Sequence, residues 1–186
     1  MSEPLAGDGF RLRRAAPGDV EFLASLSASE EVEPFLAAVS PRSHEELLEQ
    51  VRLSQEAPEE IGRFVLEVGG EDGWQRAGAL AFEVANRRSR IAWLHAVMLD
   101  PAFRGRGLAE GAVRLVTRHL IRDLGFHRVQ LEVYGFNEQA QRLFARAGFV
   151  REGAKRKAYW RHGEWTDGVL FGLVEEDLGE QGLQGQ

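Results

Sequence analysis

The chain of 186 residues contains no cysteine, which excludes disulfide bonds, thiolate nucleophiles, iron–sulfur clusters and cysteine-based zinc sites. No apolar run approaches the ~18 residues of a membrane span, and the start lacks the basic and then apolar segments of a signal peptide. These absences predict a cytoplasmic protein with no membrane partner. The five histidines are scattered, with no pair at the i, i+4 spacing of a helical metal site, so we predict no bound metal.

Positive charge is also in deficit, because 29 acidic residues against 23 Lys+Arg give a net charge of −6. Proteins that coat nucleic acid carry basic surfaces, so this balance argues against nucleic acid as the main partner. The 44% of hydrophobic residues is typical of a globular protein. At this length we predict one domain, residues 1–178, followed by a flexible tail rich in Gly and Gln, residues 179–186.

The order of the helix and strand signals predicts a layered α/β domain. A short strand at residues 10–12 precedes two helices, and Ser43 and Glu46 have the spacing of a capping box at the start of the second. An antiparallel meander, a long amphipathic helix, a strand, a short helix and a final hairpin follow. The meander strands are predicted at residues 64–68, 77–84 and 91–99, the long helix at about 107–124, and the hairpin turn at His162 and Gly163.

A basic turn with two glycines, residues 100–107, joins the last meander strand to the long helix. Gly105 and Gly107 permit positive φ angles, and the first N–H groups of a helix have no partners within it. The helix dipole and the side chains of Arg104 and Arg106 add positive potential at the same point. The combination predicts an anion site, and on the glycine pattern alone a plain strand-to-helix connection with surface arginines is the alternative.

The order of residues in this turn excludes two common nucleotide sites. A P-loop ends in Gly-Lys-Ser/Thr, which is absent, and the dinucleotide fingerprint needs a third glycine where this chain has Glu110. The turn also follows a meander rather than opening a βαβ unit. ATP and NAD are therefore poor candidate ligands.

Two segments resemble the motifs of the GNAT superfamily of N-acetyltransferases. The acetyl-CoA motif of that family, Arg/Gln-x-x-Gly-x-Gly/Ala, is matched by Arg104, Gly107 and Ala109. The second family segment, Asn-x-x-Ala-x-x-x-Tyr-x-x-x-Gly-Phe, resembles residues 137–149, with Phe144 in place of the tyrosine. Two motifs in the right order on the expected elements are more specific than either alone.

The next segment, Arg151-Glu152-Gly153, and the hairpin at Gly163 resemble the ribosomal-protein and spermidine acetyltransferase branches of the superfamily. The resemblance implies a GNAT-like fold, with a mixed, mostly antiparallel central sheet and helices on both faces. It also implies that the strand ending at residues 97–99 splays from the next parallel strand. Backbone groups would then be free to bind the pantetheine of acetyl-CoA.

The resemblance implies direct transfer of the acetyl group from the co-substrate acetyl-CoA to an amine in a ternary complex. The acceptor would be a small-molecule amine or a protein N-terminus, and the enzyme would be a monomer or homodimer. A backbone N–H near Leu99 would polarise the thioester carbonyl. The implied acetyl-CoA site comprises the strand end, the turn with the first helical residues, and two residues of the second motif: Val97, Met98, Leu99, Arg104, Gly105, Arg106, Gly107, Leu108, Ala109, Glu110, Asn137 and Phe144.

Two residues of the strand before the second motif are candidates for proton transfer. In the ribosomal-protein alanine acetyltransferases a glutamate in a similar Leu-Glu-Val setting acts as base, so the resemblance makes Glu132 the candidate base. The alternative is a sheet carboxylate paired with an arginine. Because Phe144 cannot donate a proton, Tyr134 is the candidate acid, with Tyr159, His162, water or unassisted thiolate departure as alternatives.

Further features leave alternatives open. His95 either faces the acceptor or is paired within the sheet, and the basic residues within 151–161 indicate a solvated edge strand or an RNA-binding surface. The acidic residues Glu30, Glu31 and Glu33 either line the acceptor site and favour cationic amines or lie in a solvated loop. Since Phe144 replaces the tyrosine, a catalytically idle acyl-CoA-binding or regulatory module is the alternative function.

Overall fold

The computed structural model describes residues 3–36, 43–71 and 73–180, which fold around one eight-stranded sheet. The strands are β1 (Leu5–Ala6), β2 (Phe10–Arg14), β3 (Ile61–Gly70), β4 (Gly73–Asn86), β5 (Ile91–Leu99), β6 (Arg128–Tyr134), β7 (Val150–Arg161) and β8 (Glu164–Val174). The helices are α1 (Val20–Ala28), α2 (His44–Glu56), α3 (Leu108–Arg122), α4 (Glu138–Arg146) and α5 (Asp177–Glu180).

The sheet is mixed and mostly antiparallel, as predicted. Its strands lie in the order β1-β2-β3-β4-β5-β6-β8-β7, and every neighbouring pair is antiparallel except β5 and β6, which run parallel. The predicted first strand, meander and final hairpin are confirmed. The sequence pattern did not predict β1, because its two residues are too few to show an alternation.

Helices cover both faces of the sheet, as the resemblance implied. On one face α3 and α4 pack around a large core that includes Leu94, Val116 and Leu131. On the other face α1 and α2 pack around a smaller core that includes Val20 and Val51. Successive side chains of a strand point to opposite faces, so the central strands contribute to both cores.

The helices α2 and α3 begin where their sequences indicate. The Ser43 hydroxyl accepts from the Glu46 N–H at 3.1 Å, and the Glu46 carboxylate accepts from the Ser43 N–H at 3.2 Å, which confirms the capping box. Gly107 precedes α3 with a φ of 73°, in the left-handed region that favours glycine. The helix ends at Arg122, slightly earlier than predicted, and Gly125 turns the chain toward β6 with a φ of 71°.

The parallel strands β5 and β6 pair only near their beginnings. Hydrogen-bonded pairing joins residues 91–93 to residues 128–130, and beyond Trp93 and Gln130 the strands separate. The remainder of β5 is paired with β4, and the remainder of β6 with β8. The gap opens at the carboxyl ends of both strands. This is the splayed pair that the resemblance implied.

The predicted boundary at residue 178 falls within α5, whose last two residues belong to the predicted tail. Residues 181–186 of that tail lie outside the described residues, so the single-domain assignment and the flexible tail stay predictions. Within the described part of the chain, no helix is both long and apolar enough to cross a membrane.

Candidate active site

A cavity of about 210 Å³ lies in the gap between β5 and β6. Its walls are residues 93–99 and 131–133, and further lining comes from the start of α3, from α4 and from residues 31–36. Predicted acetyl-CoA residues that line it are Val97, Met98, Leu99, Arg104, Ala109, Asn137 and Phe144. The others, Gly105, Arg106, Gly107, Leu108 and Glu110, do not line it and form the turn and first helical turn beside it.

A β-bulge shapes the β5 wall of the cavity. Ala96 has a φ of 49°, which is unusual for a residue other than glycine, and there Ala96 and Val97 lie opposite the single residue Leu80 of β4. The bulge reverses the alternation of side chains, since Leu94 packs in the core under α3 whereas Met98 packs in the core under α1 and α2.

The backbone N–H of Leu99 is directed toward the gap. Asp100 donates its N–H to the Ala77 carbonyl of β4 at 2.8 Å, and successive N–H groups of an extended strand point to opposite sides. The Leu99 N–H therefore points toward β6, at a level where the described strands leave it without a ladder partner. A free backbone donor on this wall is what an oxyanion site requires.

The glycine turn collects hydrogen-bond donors at one end of the cavity. Gly105 and Gly107 have φ angles of 78° and 73°, and a Cβ on either would meet no heavy atom within 4 Å. The space beside the turn is therefore open. The N–H groups of residues 108–110 have no acceptor within the helix, because its first bond runs from the Gly111 N–H to the Gly107 carbonyl at 3.0 Å. Free N–H groups at the start of a helix favour an anionic ligand.

Glu110, in the first turn of α3, is held by two arginines. Its carboxylate accepts from Arg146 at 2.8 Å and from Arg114 at 3.1 Å. The hydrogen bond from Arg146 is the largest cause of the lowered pKa of Glu110, and Arg114 adds to it. These partners offset the negative charge that would otherwise oppose a phosphate at this helix start.

The two arginines of the turn have different positions. Arg104 lines the cavity and donates from Nη2 to the Glu31 carbonyl at 3.0 Å. The guanidinium of Arg106 lies over the ring of Phe103, 5.5 Å from its centroid. Arg104 thus contacts Glu31, whereas Arg106 packs on Phe103.

The second motif contributes a cap and an apolar wall. The Asn137 Oδ1 accepts from the Ala140 N–H at 3.1 Å, so Asn137 caps α4 while it also lines the cavity. Phe144 is 6% exposed and packs edge-to-face on Phe149, with ring centroids 5.9 Å apart. Its ring supplies apolar surface, so any proton donor must come from another residue or from water.

Glu132 is a buried carboxylate in the β6 wall, with its side chain 2% exposed. Lys155 donates from Nζ to its Oε2 at 2.7 Å, so its ion-pair partner is a lysine rather than the arginine of the alternative interpretation. The Oε1 atom is also buried and has no hydrogen-bond partner among the described residues. One carboxylate oxygen therefore keeps an unused capacity to accept a hydrogen bond.

Tyr134 lies on the same sheet face as Glu132 but does not line the cavity. It is 3% exposed, and its hydroxyl accepts from Arg161 Nε at 2.8 Å. Tyr159 packs against it edge-to-face at 5.2 Å. Burial, with the nearby Glu132 carboxylate, raises the pKa of Tyr159 to about 12, so its hydroxyl stays protonated at neutral pH.

His95 lines the cavity on the β5 wall, where sequence left open whether it faces the acceptor. Burial, and secondarily the positive charge of Arg63, lowers its pKa to about 4. The imidazole is therefore neutral at pH 7. The neighbouring Trp93 also lines the cavity, and sequence analysis did not single it out.

The segment before α2, residues 31–36, covers one side of the cavity. Arg161 holds it by donating to the Glu33 carboxylate at 3.1 Å and to the Leu36 carbonyl at 3.2 Å. Of the three acidic residues considered from sequence, Glu31 lines the cavity and Glu33 is paired with Arg161. Sequence analysis missed the apolar lining residues of this segment, whose signal is an apolar cluster between two helices: Val32, Phe35 and Leu36.

The basic residues within 151–161 lie on β7, which is the edge strand that sequence predicted. Lys155 and Arg161 form ion pairs with Glu132 and Glu33, so two of these positive charges are paired within the chain. In the part of the chain that the structure describes, no group of three or more histidine, aspartate or glutamate residues could hold a metal ion.

Comparisons with known proteins agree with this geometry. Residues 25–149 match the Acetyltransferase (GNAT) family. The chain is 28% identical over 172 residues to the SPbeta prophage-derived uncharacterized N-acetyltransferase YokL of Bacillus subtilis (strain 168), a match that covers 92% of this chain and 93% of that protein.

Two solved structures have the same fold. The spermidine N-acetyltransferase from Vibrio cholerae, in complex with CoA and spermine, has a TM-score of 0.79 at 21% identity over 91% of this chain and 97% of that chain. The ribosomal-protein-S5-alanine acetyltransferase from Vibrio fischeri has a TM-score of 0.77 at 19% identity over 95% of this chain and 98% of that chain. The family match spans the glycine turn, the splayed strands and the second motif, so the chain belongs to the GNAT family of N-acetyltransferases, which use acetyl-CoA as acetyl donor.

Proposed function

We propose that this enzyme transfers the acetyl group of acetyl-CoA to a primary amine by direct attack in a ternary complex. The observation that carries the proposal is Glu132, a buried carboxylate with one unpartnered oxygen in the wall of the splayed gap. Direct transfer suits a chain that has no cysteine to form a covalent acetyl intermediate.

The residues for holding acetyl-CoA are at the glycine turn and along β5. Arg104 and the free N–H groups of residues 108–110 would bind the diphosphate. The open edge of residues 97–99 would bind the pantetheine, and the Leu99 N–H would stabilise negative charge on the thioester oxygen. Acetyl-CoA supplies the activated acetyl group.

The amine must lose a proton before attack, because a primary aliphatic amine is mostly protonated at neutral pH. We assign this proton to Glu132, whose Oε2 accepts from Lys155 and whose Oε1 has no hydrogen-bond partner among the described residues. None of the described lining residues is a tyrosine, and the Tyr134 hydroxyl is engaged by Arg161. We therefore favour water over Tyr134 as the source of the proton for the CoA thiolate.

The acceptor is a small-molecule amine, such as a polyamine, or a protein N-terminus. The two solved relatives are named for spermidine and for a ribosomal-protein alanine. The carboxylate of Glu31 favours a cationic amine, and Val32, Phe35 and Leu36 offer apolar surface beside it. The charge of Glu33 is offset by Arg161 and adds little.

The test is release of CoA in the presence of acetyl-CoA and a panel of spermidine, simple monoamines and a peptide with an N-terminal alanine. A thiol-specific reagent reports CoA without background, because the protein has no cysteine. We expect many turnovers with at least one amine. Calorimetric binding of CoA with no turnover of any amine would instead indicate the idle acyl-CoA-binding module.

A further inference from the structure

The chain contains two lysines, Lys155 and Lys157, and every other residue among its 23 Lys+Arg is an arginine. Both lysines are in β7. Lys155 donates to the Glu132 carboxylate at 2.7 Å, whereas the Lys157 side chain is exposed and forms no ion pair among the described residues. One of the chain's few primary amines thus contacts the carboxylate to which we assign amine deprotonation.

We propose that Lys155 is an acetyl acceptor in its own right, so that the enzyme acetylates its own Lys155 Nζ when no external amine is present. The proposal rests on the proposed function, because it uses the same carboxylate and the same acetyl donor. The product would be one acetyl-lysine in each chain.

The packing around Glu132 gives Lys155 a route to this position. Lys155 pairs across the β7–β8 ladder with Gly168, and the Glu132 carboxylate lies over Gly168, where a Cβ would overlap it. Because Gly168 has no side chain, an amine from β7 and a carboxylate from β6 meet above the β8 backbone. The Lys155 side chain is 52% exposed, so it also keeps freedom to move.

The second observation concerns the hydrogen bonds of the Glu132 carboxylate. Glu132 Oε2 binds the Lys155 ammonium, and Oε1 is buried with no described donor. An ammonium in hydrogen-bond contact with a buried carboxylate is the arrangement expected for proton transfer from an amine to a base. Glu132 is also one of the residues that line the cavity in which the predicted acetyl-CoA residues meet.

The reaction is balanced with acetyl-CoA as the only co-reactant. The Lys155 ammonium gives one proton to Glu132, and the free Nζ electron pair forms a bond to the thioester carbonyl carbon. The carbon–sulfur bond breaks, and its electron pair leaves on the CoA sulfur. That sulfur takes up the second proton lost by Nζ, and Glu132 returns its proton to water.

The experiment incubates the full chain with isotope-labelled acetyl-CoA and no added amine, then follows acetylation at each lysine by peptide mass spectrometry. We expect Lys155 to be labelled at least about tenfold faster than Lys157, because proximity to the base favours it. Lys157 is an internal control for uncatalysed acetylation. Glu132→Gln should reduce the Lys155 rate to that of Lys157.

Two matched variants complete the design. Lys155→Arg keeps the positive charge beside Glu132 but offers no acetylatable amine, so the single release of CoA per chain should be lost. Lys157→Arg should leave both the labelling of Lys155 and the CoA release unchanged. Equal labelling of the two lysines, or labelling of Lys155 that survives Glu132→Gln, would overturn the proposal.

The same preparation is assayed with the amine panel, which separates this inference from the proposed function. If external amines are acetylated over many turnovers and Lys155 is not labelled above Lys157, self-acetylation is wrong and the proposed function stands. If neither the amines nor Lys155 receive acetyl groups, both are wrong.

Discussion

The carboxylate of Glu132 occupies the space above Gly168 in which a side chain would otherwise lie. The two residues belong to the neighbouring antiparallel strands β6 and β8, where Gly168 pairs with Tyr134. Gly168 is not among the glycines with positive φ, so its backbone imposes no need for glycine. The need comes from the Glu132 carboxylate of the next strand and from the Tyr159 ring, 2.7 Å from an added Cβ.

Gly168→Ala should therefore displace the Glu132 carboxylate and the Tyr159 ring while leaving the predicted acetyl-CoA residues in place. Because a small misplacement of a reacting group is costly, we expect kcat to fall about 10²-fold with little change in CoA affinity. Steady-state kinetics and calorimetry measure the two quantities. Gly153→Ala, on β7 with no heavy atom within 4 Å of an added Cβ, is the matched control. A Gly168→Ala enzyme with unchanged kcat would show that turnover does not depend on the position of the Glu132 carboxylate.

Glu132→Gln keeps the shape of the side chain and removes the base. We expect turnover to fall by ~10²–10⁴-fold, and the loss to shrink at high pH, where more free amine is present. The pH dependence of kcat/KM measures this. Glu152→Gln, which alters a more exposed ion pair with Arg128, is the control and should have little effect. A small loss that is constant with pH would assign Glu132 to structure.

Gly107→Glu places a carboxylate where the proposed diphosphate site begins. Any side chain there must adopt the φ of 73°, which costs about 1 kcal/mol. Gly107→Ala carries that strain without the charge and is the matched control. We expect calorimetry to show CoA binding retained in Gly107→Ala and lost in folded Gly107→Glu. Equal CoA affinities in the two variants would show that the diphosphate does not bind at this turn.

Sequence predicted the features that depend on short segments of the chain. The capping box at Ser43, the left-handed glycines of the turn and the Asn137 cap each depend on residues a few positions apart, so local chemistry was sufficient. The splayed strands followed from the family resemblance. The β-bulge at Ala96 was not foreseen, because no glycine marks it.

Sequence could not predict the partners of the candidate proton-transfer residues. Lys155 reaches Glu132 only because the sheet order places β8 between β6 and β7, and because the strands have one particular register. Register depends on the whole sheet rather than on neighbouring residues. The burial of Tyr134 against Arg161 arises in the same way.

Acid should destabilise the protein through His95. Burial lowers its pKa in the folded state to about 4, while an unfolded histidine titrates near ~6.5. Between these values the unfolded chain binds a proton that the folded protein does not, so stability falls as the pH drops from about 6.5 to about 4. The loss is on the order of 3 kcal/mol.

His95→Gln stays uncharged and should lack this component of the acid sensitivity. Urea unfolding at pH 7 and pH 4.5 measures the free energy of unfolding of both proteins. We expect the free energy of unfolding of His95→Gln, taken relative to the wild type, to be higher at pH 4.5 than at pH 7. A difference in the free energy of unfolding between the two proteins that does not change with pH would contradict a lowered pKa of His95.

Glu31→Gln tests whether the segment before α2 selects cationic acceptors. Glu31 lines the cavity, so its loss should raise KM for a dicationic amine about two- to five-fold and leave a monoamine less affected. Added salt should imitate the variant, because exposed charges are screened over ~8–10 Å. Glu30→Gln, next to the cavity lining but not part of it, is the control. Equal KM changes for both amines would leave the segment without a role in charge selection.

The irregular path of β7 also affects how the protein behaves at high concentration. An edge strand of 12 residues has unpaired backbone groups that can template growth of the sheet by another chain. In β7 the register shifts between Lys155 and Tyr159, and Lys157 adopts a φ of 48°. The kink divides the exposed edge into two short runs flanked by positive charges, so the strand that carries an amine to Glu132 also resists aggregation.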